Sequence, residues 1–208
     1  MSKVDFLGVV ETHLLENESI TIPGYVFYSH TRKNRKRTAK CGSGGVGLLV
    51  KDDIAKLFKI KVIDKTEEGI MWIELVNIDC QEKLNLCICY LPPEGSSYQI
   101  DPVIFFETLL CQLYTYQNQG SFCICGDFNA RIGDKCDFTE GVDQVKERQS
   151  IDPISNYYGE LLLDFLISAS CCIVNGRKGD KNNFTSISNR GRAVVDYCTV
   201  SHDLLEKV

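Results

Sequence analysis

Three acidic residues of this sequence each come directly after a short apolar run that is typical of a buried strand. Glu11 follows FLGVV, Asp127 follows FCICG and Asp196 follows AVV. If these strands lie side by side, their ends meet at one edge of a sheet and the carboxylates converge there. Clustered carboxylates repel one another unless a cation lies between them, and their hard oxygens suit Mg²⁺ or Mn²⁺. The three together predict a divalent-metal site, whereas a single acid after a strand is usually no more than loop polarity.

The segment CICGDFNARIG places a carboxylate and a carboxamide two residues apart, at Asp127 and Asn129. Gly126 precedes them and permits a close approach of the backbone to a ligand. We expect Asp127 to hold or orient a water molecule. We expect the amide of Asn129 to donate a hydrogen bond to a phosphate oxygen.

Several strands and two helices must position these residues. The predicted strands are short apolar runs that contain many β-branched residues and are separated by turn residues. They are FLGVV, GVGLLV, IMWIELVNI, LNLCICYL, SFCIC, CCIVNG and AVVDYCTV. The polar segment from about 133 to 153 is long for a connection in a compact domain, which predicts either a functional or a mobile loop.

Two segments have the pattern of amphipathic helices. In DPVIFFETLLCQLYTY, Asp101 is a suitable N-cap and Pro102 occupies the first helical position. SNYYGELLLDFLISAS repeats the pattern, with Ser155 or Asn156 as its cap. The residues expected to face inward are Val103, Phe106, Leu109, Leu110 and Leu113 in the first helix and Tyr158, Leu161, Leu162, Phe165 and Leu166 in the second.

Length and composition predict a single domain over residues 1–208. The chain has 208 residues, of which 44% are apolar, enough for one substantial core. It contains no uninterrupted apolar run of about 18 residues, and its first residues lack the pattern of a signal peptide. We therefore expect an intracellular protein, nuclear or cytoplasmic, that does not act at a membrane.

The 11 cysteines are predicted to be reduced core residues. Most lie inside apolar runs, where thiols usually act as small buried hydrophobic groups. The number is odd and no CxxC pair occurs, so a disulfide framework or a structural zinc site is disfavoured. Two pairs, Cys87 with Cys89 and Cys123 with Cys125, would each share one face of a strand.

The formal net charge of −5 argues against a generally basic nucleic-acid-binding protein, but one local segment is strongly basic. The segment HTRKNRKRTAK contains Arg32, Lys33, Arg35, Lys36, Arg37 and Lys40 and no acid. One interpretation is a solvated loop. The other is a contact to the phosphate backbone, which DNA or RNA binding without sequence preference would require.

Four motifs, in this order and at this spacing, resemble a known superfamily. VVETHL, CYLPP, GDFNARIG and VVDYCTVSHDLL are similar to the motifs of the endonuclease/exonuclease/phosphatase superfamily, and most closely to the endonuclease domains of LINE-type (non-long-terminal-repeat) retrotransposons. The resemblance covers essentially the whole chain. It implies a four-layer αββα sandwich, in which two mixed β-sheets are flanked by helices, and Mg²⁺-dependent hydrolysis of phosphodiester or phosphomonoester bonds.

The resemblance also implies a role for each matching residue. Glu11 matches the glutamate that binds the metal, and Tyr90 matches the tyrosine that contacts the scissile phosphate. Asp127 matches the acid that positions or activates the attacking water, and Asn129 matches the amide that binds the phosphate. Asp196 matches the aspartate that orients a catalytic histidine.

This sequence departs from the family pattern at both ends. The family has an earlier strand with a WN-type asparagine and a later SDH motif with the catalytic histidine, and neither occurs here. We expect the first strand and the final strand to be missing, and none of His13, His30 and His202 to replace the histidine. An orienting aspartate has lost its role when its histidine is missing, and loss of such a general acid or base lowers the rate by about 10²–10⁴-fold. We therefore expect weak or no activity.

Three alternatives remain open. GSGGVG (residues 42–47) fits a dinucleotide-binding fingerprint, which needs a strand before the glycines and a helix after them. Here a basic loop precedes the glycines and a predicted strand follows them. A glycine-rich turn is therefore the preferred interpretation, and no nicotinamide cofactor is expected. A decayed binding domain would keep the fold without the chemistry. A small-molecule phosphatase or lipid phosphodiesterase would use the same chemistry, but the basic segment and the motifs favour nucleic acid, most simply DNA.

Overall fold

The computed structural model describes residues 4–32, 42–98, 100–177, 184–189 and 191–206. These residues form two compact units, residues 1–90 and 91–208. None of the helices in the described ranges is both long and apolar enough to cross a membrane.

The first unit contains two sets of antiparallel strands. Strands β1 (Phe6–Val10), β2 (Tyr25–His30) and β3 (Val46–Lys51) form a sheet in the order β1-β3-β2. A short helix, α1 (Asp52–Ala55), leads to a meander of β4 (Phe58–Asp64), β5 (Ile70–Asn77) and β6 (Lys83–Tyr90). β1 and β3 pack against β6, and the unit's core is built on the fully buried strand segment around Trp72.

The second unit combines two longer helices with an antiparallel sheet. Its elements are α2 (Pro102–Tyr116), a 3₁₀ turn (Gln117–Gln119), β7 (Ser121–Asp127), α3 (Tyr157–Ser168), β8 (Cys171–Ile173), β9 (Ser186–Ser188), β10 (Gly191–Ala193), β11 (Asp196–Ser201) and α4 (His202–Leu205). β9 and β10 form a small hairpin. β11 lies between β7 and β8 and is antiparallel to both.

Both long helices begin at the predicted caps. The side chain of Asp101 accepts hydrogen bonds from the backbone N–H groups of Val103 and Ile104, and Pro102 starts α2. The side chain of Asn156, not Ser155, accepts the N–H of Gly159 at the start of α3. These bonds satisfy donors that the first helical turn otherwise leaves unpaired.

The buried helix faces differ in part from the prediction. In α2 the residue Val103 is exposed and Leu110 is only half-buried, whereas Phe105 and Gln112 are buried. In α3 Leu161 is half-buried and Leu163 is buried instead. α2 and α3 pack on each other, and α3 also contacts β8.

The side chains of β7 alternate between two environments. Phe122 and Ile124 are buried on one side of the strand, as are Tyr197 and Thr199 of β11. That side meets the aromatic cluster of the helices, where the rings of Phe106 and Phe128 are stacked with centroids 6.2 Å apart. The other face carries the acids and cysteines that are described below.

The structure also locates two histidines and the glycine-rich segment. His30, the first residue of the basic segment, is the buried last residue of β2, and its Nε2 lies 3.0 Å from the carbonyl oxygen of Glu67. His202 begins α4, and its Nδ1 lies 3.6 Å from Oδ1 of Asp143. The glycine-rich segment enters β3, as predicted, and no helix follows its glycines directly, so it is not a dinucleotide-binding turn.

Candidate active site

Glu11 lies at the end of β1 in the first unit, in a conformation that few side chains adopt. Its φ is 51°, in the left-handed region that is unfavourable for residues other than glycine. The exposed carboxylate accepts a hydrogen bond from the hydroxyl of Tyr90, the last residue of β6. Strained residues of this kind are often found at functional sites. The structure thus brings together Glu11 and Tyr90, which are 79 residues apart in the sequence.

The glycine-rich segment holds the chain that follows Glu11. The N–H groups of Thr12 and His13 donate to the carbonyl oxygens of Gly45 and Gly44 at 3.3 and 2.9 Å. A Cβ added to Gly45, whose φ is 87°, would lie 2.5 Å from the Thr12 hydroxyl. A larger residue there would displace the segment that orients Glu11. The side chain of His13 is exposed.

Asp127 and Asn129 form a tight turn at the end of β7 in the second unit. The backbone N–H of Asn129 donates to Oδ1 of Asp127 at 2.8 Å, and φ of Asn129 is 48°. The amide Nδ2 of Asn129 donates to the carbonyl oxygen of Leu91 at 2.9 Å, while the N–H of Leu91 donates to the carbonyl oxygen of Asp127. The turn is therefore fixed by hydrogen bonds at both residues, and the role of Asn129 in binding a phosphate stays a prediction.

Asp196 lies directly opposite Asp127. The two residues are register partners in the antiparallel pair of β11 and β7, which places their side chains on one face of the sheet. Directly opposed residues have Cβ atoms about 4.5–5.5 Å apart. Burial raises the pKa of Asp196, and a hydrogen bond with the Thr185 hydroxyl opposes part of this rise. The pairing of two acids favours a cation at this face.

The predicted role of Asp196, orientation of a histidine, has no counterpart among the contacts that the structure describes. Its carboxylate interacts with Thr185, which also accepts the backbone N–H of Asp196. Within the described ranges, His30 lies next to the carbonyl oxygen of Glu67 and His202 lies next to Asp143. His13 follows Glu11 in the first unit. The structure therefore offers Asp196 as a half-buried acid beside Asp127.

The donor chemistry fits a hard divalent cation. In the first unit Glu11 provides an exposed carboxylate that Tyr90 orients. In the second unit Asp127 and Asp196 provide a pair of carboxylates. Oxygen ligands of this type are those that Mg²⁺ and Mn²⁺ prefer.

One predicted nucleic-acid contact, Arg32, has an acidic neighbour that is distant in sequence. Its Nε lies 2.6 Å from a carboxylate oxygen of Glu68, and both side chains are largely buried. Lys33, Arg35, Lys36, Arg37 and Lys40 lie outside the described residues. The basic segment as a whole stays a prediction.

Sequence reasoning missed a polar network that anchors the turn around Asn129. The Asn156 side chain donates to the carbonyl oxygen of Asn129 at 3.0 Å and accepts the N–H of Arg131 at 2.8 Å. Arg131 in turn forms a bidentate ion pair with Asp152. Asn156 could be found as a helix cap, but no local signal identifies Asp152.

Several solved nucleases have a similar structure. The AP endonuclease LMAP from Leishmania major gives a TM-score of 0.69 at 15% identity, over 97% of this chain and 71% of that one. The endonuclease domain of TRAS1, a telomere-specific non-LTR retrotransposon, gives 0.55 at 16% identity, over 89% and 70%. The 3'-5' exonuclease NExo from Neisseria meningitidis gives 0.58 at 12% identity, over 97% and 78%.

No protein-family model matches the sequence, and no curated protein matches it either. At these identities the similarity to the solved structures establishes the fold. The α/β class and the superfamily fold that the four motifs predicted are confirmed. This chain has the fold of the endonuclease/exonuclease/phosphatase superfamily.

Proposed function

We propose that this protein is a phosphodiester hydrolase that depends on Mg²⁺ or Mn²⁺ and acts on DNA. The observation that carries the proposal is the register of β7 and β11, which sets Asp127 opposite Asp196, next to the fixed turn of Asn129. Two paired acids beside an amide are suited to a water nucleophile and a phosphate group. The superfamily fold supports the same chemistry.

In this proposal Asp127 accepts a hydrogen bond from the attacking water and orients it. The hydrogen bond from the N–H of Asn129 to Oδ1 of Asp127 holds the carboxylate in one rotamer. Burial raises the pKa of Asp196, the register partner of Asp127.

Glu11 is the proposed metal ligand, and Tyr90 is the proposed phosphate contact. The hydroxyl of Tyr90 donates to the Glu11 carboxylate and so fixes its direction. The bound metal would neutralise charge on phosphate oxygens and on the leaving group.

DNA is the proposed substrate because of the similar structures and the basic segment. One solved structure of NExo is described as bound to a product DNA hairpin, and one of TDP2 as complexed with single-strand DNA product. We further propose that the chain is a retrotransposon-derived endonuclease, in line with its motifs and its similarity to the TRAS1 domain.

A plasmid-nicking assay tests this function. Supercoiled plasmid is incubated with purified protein and Mg²⁺, then Mn²⁺, and then a chelator. Asp127→Asn keeps the shape of the side chain and should lower the nicking rate by about 10²–10⁴-fold. Asp164→Asn, an exposed acid on α3, serves as the matched control and should leave the rate unchanged. Equal rates for wild type and Asp127→Asn would refute the assignment.

Salt dependence tests the proposed DNA contact separately. If Lys33, Arg35, Lys36, Arg37 and Lys40 contact phosphates, changing them to Gln should flatten the plot of log affinity against log salt. The slope should fall by about 0.9 for each lost contact. An unchanged slope would mean that this segment does not bind the backbone.

A second candidate is a binding domain without catalysis. The hydrogen bond of Asp196 favours this candidate. In the superfamily the matching carboxylate orients a histidine, whereas here it interacts with the Thr185 hydroxyl. This candidate predicts salt-dependent DNA binding with no metal-dependent nicking, and Asp127→Asn would then leave binding unaffected.

A further inference from the structure

Three cysteine side chains converge on one face of the sheet in the second unit. Cys123 and Cys125 are two residues apart on β7, and Cys198 on β11 is the register partner of Cys125. The Sγ of Cys123 lies 3.4 Å from that of Cys125 and 3.5 Å from that of Cys198. All three sulfurs lie within 4.8 Å of one another. We call these three residues the cysteine trio.

The spacing of the sulfurs matches one face of a small tetrahedron. A zinc–sulfur bond of about 2.3 Å and tetrahedral angles place thiolate sulfurs about 3.8 Å apart. The two shorter contacts of the cysteine trio are within a few tenths of an ångström of that value. Rotation about the side-chain bonds can supply this small change without movement of the strands.

We propose that the cysteine trio binds one thiophilic cation, Zn²⁺, through the three sulfurs of Cys123, Cys125 and Cys198, with the fourth position open to solvent. All three side chains are half-buried, so an ion can reach them. Thiolate ligands select Zn²⁺ over the hard cations that bind carboxylates. The site is thus chemically distinct from the Mg²⁺ site proposed above.

The backbone holds Cys198 in place before any metal binds. Its N–H donates to the side-chain oxygen of Asn175 at 2.9 Å, and its carbonyl oxygen accepts the N–H of Val174 at 2.8 Å. Asn175 also donates to the carbonyl oxygen of Asp196 at 3.2 Å. A site on paired strands loses little conformational freedom when it binds an ion.

The electrostatic surroundings also favour a cation. Asp127 and Asp196 lie on the same face, one register position beyond the Cys125–Cys198 pair on that face.

Another cysteine pair shows what simple packing of thiols looks like in this protein. Cys87 and Cys89 on β6 have the same two-residue spacing and an Sγ–Sγ distance of 3.5 Å. Both are fully buried. Within the described ranges, only the cysteine trio forms a group of three metal-ligating side chains at such distances. Cys123 also packs against the buried cluster of Cys172, Val200 and Leu205. The third thiol and the partial exposure of all three side chains distinguish the trio from the Cys87–Cys89 pair.

Metal titration of the reduced protein tests the proposal. We expect one equivalent of Zn²⁺ to bind, and Co²⁺ in its place to give the ultraviolet charge-transfer absorption of cobalt–thiolate bonds. Cys125→Ser should weaken Zn²⁺ affinity by at least about 100-fold, since loss of even an outer-sphere partner costs 10–100-fold. Cys111→Ser, an exposed cysteine on α2, is the control and should bind as wild type does.

Alkylation of wild-type protein keeps the test independent of how well a variant folds. Zn²⁺ should protect Cys123, Cys125 and Cys198 from a thiol reagent, as read by peptide mass spectrometry, and leave Cys80 and Cys111 reactive. Absence of the cobalt–thiolate absorption, or equal alkylation of the trio with and without Zn²⁺, would overturn the proposal. So would a wild-type zinc affinity in a folded Cys125→Ser variant.

Discussion

Asp152 links the two segments that carry the second unit's candidate residues. Its carboxylate accepts hydrogen bonds from Nε and Nη2 of Arg131 at 2.9 and 2.5 Å, next to the turn of Asn129. It also accepts the backbone N–H of Val194 at 2.9 Å, two residues before Asp196, and that of Ile154 at 3.2 Å. Replacement of Asp152 should therefore loosen both segments at once.

The size of the effect follows from these contacts. Asp152→Ala leaves the buried N–H of Val194 without its acceptor, which costs about 1–3 kcal/mol. Loss of the bidentate bonds to Arg131 adds about 1.5–3 kcal/mol, because hydrogen bonds to charged groups have that net value. The two terms are not additive, so we expect unfolding free energy to fall by about 3–5 kcal/mol.

Urea unfolding measures this loss, with Asp164→Ala, an exposed helical acid, as the control. The control should change stability by less than about 0.5 kcal/mol. A loss below about 1 kcal/mol for Asp152→Ala would refute the reasoning, since one unpaired buried donor alone costs at least about that much.

The pH dependence gives an independent check. Burial opposes ionisation of Asp152, but hydrogen bonds from Arg131, Val194 and Ile154 outweigh it and lower its pKa. A lowered pKa means that the stabilisation is fully present above the pKa of the unfolded state. It is lost as pH falls through the folded-state pKa. The stability difference between wild type and Asp152→Ala should therefore shrink in acid, and a constant difference would contradict this view.

Three further predictions concern other positions. Asp137→Ala breaks the ion pair of Asp137 with Arg177, in which the two side chains are 0% and 2% exposed respectively. It should lower the free energy of unfolding in urea by about 3–5 kcal/mol, and a loss under about 1 kcal/mol would contradict this prediction. Gly159→Ala places a Cβ 1.9 Å from the carbonyl oxygen of Arg131 and should cost at least about 3 kcal/mol in the same assay. Tyr90→Phe removes the hydrogen bond to the candidate metal-binding carboxylate. It should slow nicking by about 10- to 100-fold with little change in thermal unfolding, whereas an unchanged rate would exclude the role.

The sequence predicted those elements whose signals are local. Both helix caps and most strands are encoded in a few adjacent residues, such as Asp101 before Pro102. Strand β2 (YVFYSH) was missed because polar residues interrupt its apolar pattern and much of the strand is not buried. The predicted inward face of α2 was partly wrong, since Phe105 and Gln112 are buried and Val103 is exposed.

The candidate site was predictable only where a motif marks it. Asp127 was correctly identified as an acid at the end of a strand, whereas Asp196 begins β11 and does not follow a strand formed by AVV. Their register as direct partners required the structure. Asp152 and the cysteine trio depend on contacts between residues far apart in the chain. Cys198 in particular gives no sign in the sequence that it meets Cys123, which lies 75 residues away.

The Mg²⁺ dependence of plasmid nicking by wild type and Glu11→Gln tests the central claim most directly. Glutamine keeps the shape of the side chain and removes the charge that would hold the cation. We predict that the half-saturating Mg²⁺ concentration rises by at least about tenfold in Glu11→Gln, because changes around a metal site typically weaken affinity by 10–100-fold. An unchanged half-saturating concentration in Glu11→Gln would contradict the account.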